Sequence, residues 1–184
     1  MVCVAKWSNI ARRIRVPLGF AFAAFYVWIA RPSWLTLAAG TIVAIPGIIL
    51  RAAASGYVKK NEELTTSGPY AYTRNPLYLG SLIMAIGFAI AARSWWVLLV
   101  MLVMFVVIYL PVIRSEESFL RERFSNFEDY AQNVPRLLPR LSAYRKQTGS
   151  FSRSLYWQHR EYNAALGTAA VLAALVGKLF WASR

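Results

Sequence analysis

Nineteen consecutive residues, WWVLLVMLVMFVVIYLPVI at positions 95 to 113, carry no charge. A helix crosses the ~30 Å hydrocarbon core of a bilayer with about 20 such residues, so this run argues against an ordinary soluble domain. Four more apolar blocks accompany it: VPLGFAFAAFYVWIA (16–30), WLTLAAGTIVAIPGIIL (34–50), LYLGSLIMAIGFAIAA (77–92) and AALGTAAVLAALVGKLFWA (164–182). The first and third of the five are short, and must borrow flanking residues or sit where the bilayer thins. Hydrophobic residues make up 58% of the chain, above the share of an average soluble domain. The expectation is an all-α integral membrane protein with about five transmembrane helices, forming a single membrane domain over residues 1–184. Basic residues precede the first block, as in a signal peptide. No clear cleavage site follows and Arg31-Pro32 comes at once, so an uncleaved anchor is expected.

The net charge is +13, from 21 basic and 8 acidic residues. In a soluble protein that excess would suggest nucleic acid; in a membrane chain it is first a matter of topology, because cytoplasmic loops collect Lys and Arg. With the N-terminus inside, the inner segments carry 17 of the 21 basic residues: Lys6, Arg12, Arg13 and Arg15; Arg51, Lys59, Lys60 and Arg74; and nine between Arg114 and Arg160. Arg31, Arg93 and Arg184 remain outside, Lys178 falls within the last span, and all eight acidic residues lie inside. The expected placement is the cytoplasmic membrane with the N-terminus in, the C-terminus out, anionic lipid against the inner face and no nucleic-acid partner. The single cysteine, Cys3, excludes an internal disulfide and a cysteine metal cluster, and no metal is expected.

Short outer turns at Arg31-Pro32-Ser33 and Arg93-Ser94 join spans one and two, and three and four, as hairpins. The polar chemistry collects on the longer inner segments, 51–76 and 114–163, where function is expected. Pro46-Gly47 and Pro111 are expected to kink their helices. Residues 61–80, NEELTTSGPYAYTRNPLYLG, contain turn formers at Thr66 to Pro69 and a helix start at Asn75-Pro76, with Pro76 in the first turn and Asn75 as its N-cap. That reading accounts for Gly68, Asn75 and Pro76 but not for the crowding of Tyr70, Tyr72, Arg74 and Tyr78. Tyrosines are common at membrane interfaces, and Arg74 alone would also suit lipid phosphate.

The second polar stretch is RSEESFLRERFSNFEDYAQNVPRLLPRL, Arg114 to Leu141. Leu120, Phe124, Phe127, Ala131 and Val134 recur at helical spacing, which predicts one amphipathic helix with Glu116 and Glu117 at its start. Acidic residues at a helix N-terminus are also favoured by the dipole. Because the third and fourth spans form a hairpin, Glu116 and Glu117 are expected beside Arg74 and Asn75, with Arg114 as a second cation. Val134-Pro135 and Leu138-Pro139 then close the segment as an irregular strap.

The order Gly-Pro-Tyr, Arg-Asn-Pro-Leu-Tyr-Leu-Gly, a hydrophobic hairpin, Glu-Glu, Phe, Tyr and Val-Pro-Arg resembles the isoprenylcysteine carboxyl methyltransferase family and the related bacterial phospholipid methyltransferases, over residues 47–140. Residues 141–184, an interfacial segment plus a fifth span, lie beyond that core. The resemblance implies a membrane-embedded, S-adenosylmethionine-dependent methyltransferase without a Rossmann domain. The implied cofactor site comprises Gly68, Pro69, Tyr70, Arg74, Asn75, Pro76, Tyr78, Gly80, Glu116 and Glu117; Arg74, Asn75, Arg114 and Glu117 are the candidates for the reaction itself. The chain departs from the family at Asn75, where many members have histidine and an amide cannot titrate, and at Phe124-Ser125, where Phe-Gly is common.

The residue types suit such a cofactor. Carboxylates match ribose hydroxyls and an ammonium, an arginine forks a carboxylate, and aromatic faces attract a sulfonium by about 0.5–2 kcal/mol. A carboxylate acceptor needs no base and would be held by Arg74 or Arg114; an amine acceptor must lose a proton, with Glu117 as the nearest base. His159 and the stretch Arg145 to Arg160 read as interfacial surface on anionic lipid. Two other classes compete: an NADPH-dependent membrane reductase of the sterol type, and a non-catalytic lipid-binding module. The acceptor expected is lipophilic, entering from the membrane; its identity and the oligomeric state stay open, although Gly80, Ala85, Gly87 and Ala91 would allow close helix packing.

Overall fold

The structure is a computed structural model, and it describes Pro17 and residues 19–59, 62–145 and 149–182. Lys6, Arg12, Arg13, Arg15, Lys60, Lys146 and Arg184, which entered the charge argument, lie outside the described residues, as does Cys3. The elements are α1 (Gly19–Ile29), α2 (Trp34–Ser55), a 3-10 turn (Gly68–Ala71), α3 (Pro76–Ala92), α4 (Trp95–Met104), a π turn (Phe105–Tyr109), α5 (Leu110–Arg123), α6 (Phe127–Asn133), α7 (Arg153–Gln158) and α8 (Tyr162–Ala182). Among the described residues there is no strand. Three stretches, Trp34–Ser55, Trp95–Arg123 and Tyr162–Trp181, are long and apolar enough to cross a membrane; α1 and α3 are shorter apolar helices beside them. Large apolar side chains such as Leu35, Ile42, Trp95, Trp96, Val106, Leu166 and Trp181 face outward. Water would not tolerate so continuous an apolar exterior, and lipid does. The protein is an all-α membrane protein.

The turns between spans form as the sequence predicts. Ser33 and Thr36 make a reciprocal capping box at the start of α2. Arg93 ends α3 in the left-handed region (φ 51), and the Arg31 amide donates to Ala92 O at 2.9 Å, tying the two interhelix turns together. Lys178, deep in an apolar helix, donates to the carbonyls of Val27 and Trp28 at 2.7 Å each. It thereby satisfies acceptors left free at the end of α1.

The seam that organises the bundle runs between α2 and α3. Gly47 and Gly80 face each other so closely that a Cβ on Gly47 would lie 2.6 Å from Gly80 O, and a Cβ on Gly87 would lie 2.6 Å from Gly40 O. Ala44 and Ala91 complete the contact. The small residues of α3 therefore pack within the chain, against α2, as small-residue stripes do in lipid. They fix where the polar end of α3 sits.

Two expectations change here. The fourth span and the segment bearing Glu116 and Glu117 are one rod, Trp95–Arg123, so the two acids stand inside a helix and not at its N-terminus. The dipole account of them falls with that. Within the rod, the π turn Phe105–Tyr109 ends two residues before Pro111, which has no amide to give and crowds the carbonyl four residues back. The amphipathic stretch is also not a single helix. Phe124 is extended (φ −124, ψ 116), Ser125-Asn126 turn, and α6 restarts at Phe127. Phe127, Tyr130 and Val134 still form a buried cluster, with Leu64, Leu120 and Phe124 packed on it.

Candidate active site

The 3-10 turn Gly68–Ala71 begins the site. Gly68 takes φ +59, and its missing side chain leaves the place filled by the Tyr57 ring. Pro69 follows as the first fixed residue of the turn. Beyond it, residues 71–74 lie antiparallel to the strap that follows α6. The Arg74 amide donates to Pro135 O, the Arg140 amide to Tyr72 O and the Tyr144 amide to Ala71 O, all at 2.9–3.0 Å. Thr73 Oγ1 bonds Arg136 O and Leu137 O at 3.2 and 3.0 Å. Tyr130 OH donates to Tyr70 O at 2.7 Å. The strap expected from Pro135 and Pro139 is therefore stitched to the Gly-Pro-Tyr turn.

At the centre is Glu117, 6% exposed. Arg136 approaches it side-on, with Nε 3.1 and 3.0 Å from the two oxygens and Nη2 2.7 Å from Oε2. Asn75 Nδ2 donates to Glu117 Oε1 at 3.3 Å and to Arg136 O at 3.1 Å. Arg74 Nε lies 3.5 Å from Glu117 Oε1. This Nε is buried and makes no hydrogen bond. The bond to Glu117 raises the Arg136 pKa above its ordinary value. Next to this knot, Tyr78 OH donates to Glu116 Oε2 at 3.1 Å, and the Tyr78 ring meets Tyr109 edge-on. Burial, then the Tyr130 hydroxyl and the carboxylates of Glu116 and Glu161, push the Tyr70 phenol far above its usual range.

The structure thus brings together Gly68, Pro69, Tyr70, Arg74, Asn75, Pro76, Tyr78, Glu116 and Glu117. Gly80 sits one turn further along α3, where a Cβ would strike Arg51 Cγ and Gly47 O; it serves the helix seam. Arg114 does not join: it is exposed on α5, and none of the bonds of the cluster reaches it. Arg136 takes the place expected for Arg114. It is the arginine of the Val-Pro-Arg motif, the one signal that set it apart from the other basic residues of its segment. Asn75 does begin α3, but its side chain makes no cap bond. The amide is turned to Glu117 and the strap instead, which explains an amide there without titration.

Chemically, Glu117 accepts three donor groups and serves as an anchor for two guanidinium ions. Glu116, bound by one phenol, keeps oxygen lone pairs to offer. Arg74 keeps an uncommitted donor. The cluster can therefore hold a ligand bearing both a carboxylate and hydroxyl or ammonium groups.

The phospholipid methyltransferase family matches residues 18–126, more than half of the chain. The chain belongs to that family. It is 36% identical over 103 residues to the nickel-cobalt-cadmium resistance protein NccN of Alcaligenes xylosoxydans xylosoxydans. It is 38% identical over 103 residues to the cobalt-zinc-cadmium resistance protein CzcN of Cupriavidus metallidurans. Each match covers 53% of this chain and 48% of the relative, so the chain spans about half the length of these curated relatives. No solved structure matches.

Proposed function

We propose that the protein is an S-adenosylmethionine-dependent methyltransferase acting on a lipophilic acceptor reached from the membrane. One observation carries the cofactor part: Arg74 Nε, buried, charged and lacking a hydrogen-bond partner beside a carboxylate already filled by Arg136 and Asn75. A buried donor of this kind costs about 1–3 kcal/mol unless something accepts from it. The carboxylate end of the cofactor suits that donor, and Glu116 suits its hydroxyl or ammonium groups. The faces of Tyr78 and Tyr109 suit a sulfonium. When bound, the cofactor supplies a methyl group on that sulfonium, whose transfer to an acceptor lone pair leaves a neutral thioether.

The chain's own part is alignment and exclusion of water. Glu117 holds Arg74, Asn75 and Arg136 together and so acts as a positioning residue; its lone pairs are too occupied for a base. Glu116 is the freer carboxylate, and takes the proton if the acceptor is an amine. The charge distribution supports a cytoplasmic face for the cluster. The names of the two relatives concern metal resistance; the proposal rests on the family and the cluster, and assigns no metal to this chain. The test is to incubate the purified protein in host lipid with methyl-labelled donor and follow the label by mass spectrometry. Label in extractable lipid supports the reading, and unlabelled lipid under conditions of cofactor binding contradicts it.

A further inference from the structure

A third arginine, Arg51 near the end of α2, is paired outside the cluster. Its Nη1 donates to Ser81 Oγ at 2.5 Å and Leu77 O at 3.2 Å, which anchors the guanidinium to α3. The remaining edge, Nε and Nη2, forks the carboxylate of Glu161 at 2.8–3.1 Å. Both side chains are largely buried, 22% and 12% exposed. Glu161 arrives from far along the chain, at the joint between α7 and α8. The residue before it, Arg160, has φ 53, a left-handed conformation uncommon for arginine.

Arg51 is also part of the wall of a half-open cavity of about 240 Å³ lined by residues of α1, α2, α3, the long rod and α8. Arg51, Ser81 and Tyr109 make its polar end; Met84, Met101, Met104, Phe88 and Phe105 line much of the rest. Methionine walls adapt to chains of different shape. Whole ligands fill roughly 300–1,000 Å³, so the space suits the head and first part of an extended chain. A cation at one end of an apolar, adaptable cavity in a membrane protein is the complement of an amphiphilic anion. The side-on arginine fork is the geometry that selects a carboxylate.

We infer that this cavity binds an amphiphile with a carboxylate head and an apolar chain, that Arg51 holds the head, and that Glu161 is its internal competitor. Glu161 occupies the place of the ligand's carboxylate, and the ligand enters as Glu161 swings out on the Arg160 joint. The site stands on its own geometry and does not require methyl transfer.

The test is equilibrium binding of labelled dodecanoate, with dodecanol and dodecyl phosphate as comparisons, to the full chain in lipid nanodiscs, subtracting empty discs. An internal competitor lowers apparent affinity by the fraction of time the site is blocked. Glu161→Gln is expected to bind dodecanoate about tenfold more tightly than the parent, with dodecanol unchanged. Adding Arg51→Gln to that variant is expected to abolish the gain. Glu161→Asp, one methylene shorter, is expected to show a smaller gain in the same direction, which keeps the inference refutable if Glu161→Gln does not fold. No gain for dodecanoate, an equal gain for dodecanol, a gain confined to dodecyl phosphate, or a gain that survives Arg51→Gln would overturn it. The assay contains no methyl donor, so its failure leaves the cofactor reading untouched.

Discussion

Along the α2–α3 seam, backbone lies on backbone; one turn beyond it, at Asn75, the same helix opens onto a knot of charged side chains. The seam is specified by what is missing, since Gly40, Gly47, Gly80 and Gly87 leave no room for a Cβ. The knot is specified by what is present, a buried carboxylate matched by two arginines and an amide. The first holds by dispersion and close approach in lipid. The second holds by charge-assisted bonds that lose most when one partner is removed. Their adjacency explains how a membrane protein keeps a precise polar site: the rigid seam sets the position from which Asn75 and Arg74 reach across to α5 and the strap.

The largest expected effect tests the knot. Glu117→Gln leaves Arg136 and Arg74 without their anion, a loss of the kind that costs about 2–5 kcal/mol. At 1.36 kcal/mol per factor of ten, affinity for S-adenosylhomocysteine is expected to fall by more than about tenfold, read by calorimetry on folded protein. Unchanged affinity would remove Glu117 from the account. The seam comes next. Gly80→Ala forces a Cβ to within 2.7 Å of Gly47 O, so thermal unfolding is expected to shift down by the equivalent of about 1–3 kcal/mol. Gly167→Ala, in open space on α8, is expected to leave the midpoint unchanged or raise it. Equal behaviour of the two glycines would contradict the seam.

Smaller effects separate the strap from the helices. Thr73→Val removes the hydroxyl that bonds Arg136 O and Leu137 O, at about 1 kcal/mol per bond; protease cutting between residues 135 and 145 should quicken while α2 and α3 stay intact. Tyr130 supplies a pH test. Burial raises its phenol well above the usual value, with Arg74 lowering it and Glu117 raising it. A raised folded pKa means this stability is complete below the unfolded value, near pH 10, and is lost as pH climbs beyond it. The unfolding midpoint should therefore fall above about pH 10, and fall less steeply in Tyr130→Phe. Arg114→Ala, on the exposed face of α5, should change stability by less than about 0.5 kcal/mol and leave cofactor affinity as it was.

The same contrast explains what the sequence made readable. The spans, the outer turns and the meeting of Asn75 with Glu117 follow from apolar blocks and one hairpin, which are local features. The Gly-on-Gly seam was visible only as small residues, because nothing in α3 says which neighbour will lie against it. Arg136 was hard to single out since nine basic residues share its segment, and only folding of the strap between Pro135 and Pro139 decides which one reaches Glu117. The position of Asn75 before Pro76 reads as a cap, whereas its side-chain partner Glu117 is 42 residues away. The break at Phe124 escaped because Leu120, Phe124 and Phe127 keep helical spacing, while their packing on one cluster needs only proximity.

The Glu117 knot, with the Arg74 Nε that makes no hydrogen bond, is proposed to hold a methyl donor. Isothermal calorimetry of the purified protein in nanodiscs with S-adenosylmethionine, repeated with Arg74→Ala, tests this most directly. Saturable one-to-one binding by the parent is expected, with at least about tenfold weaker binding by the variant, as for loss of a charge-assisted bond. The absence of saturable binding by folded parent protein, or equal binding by the variant, would contradict it.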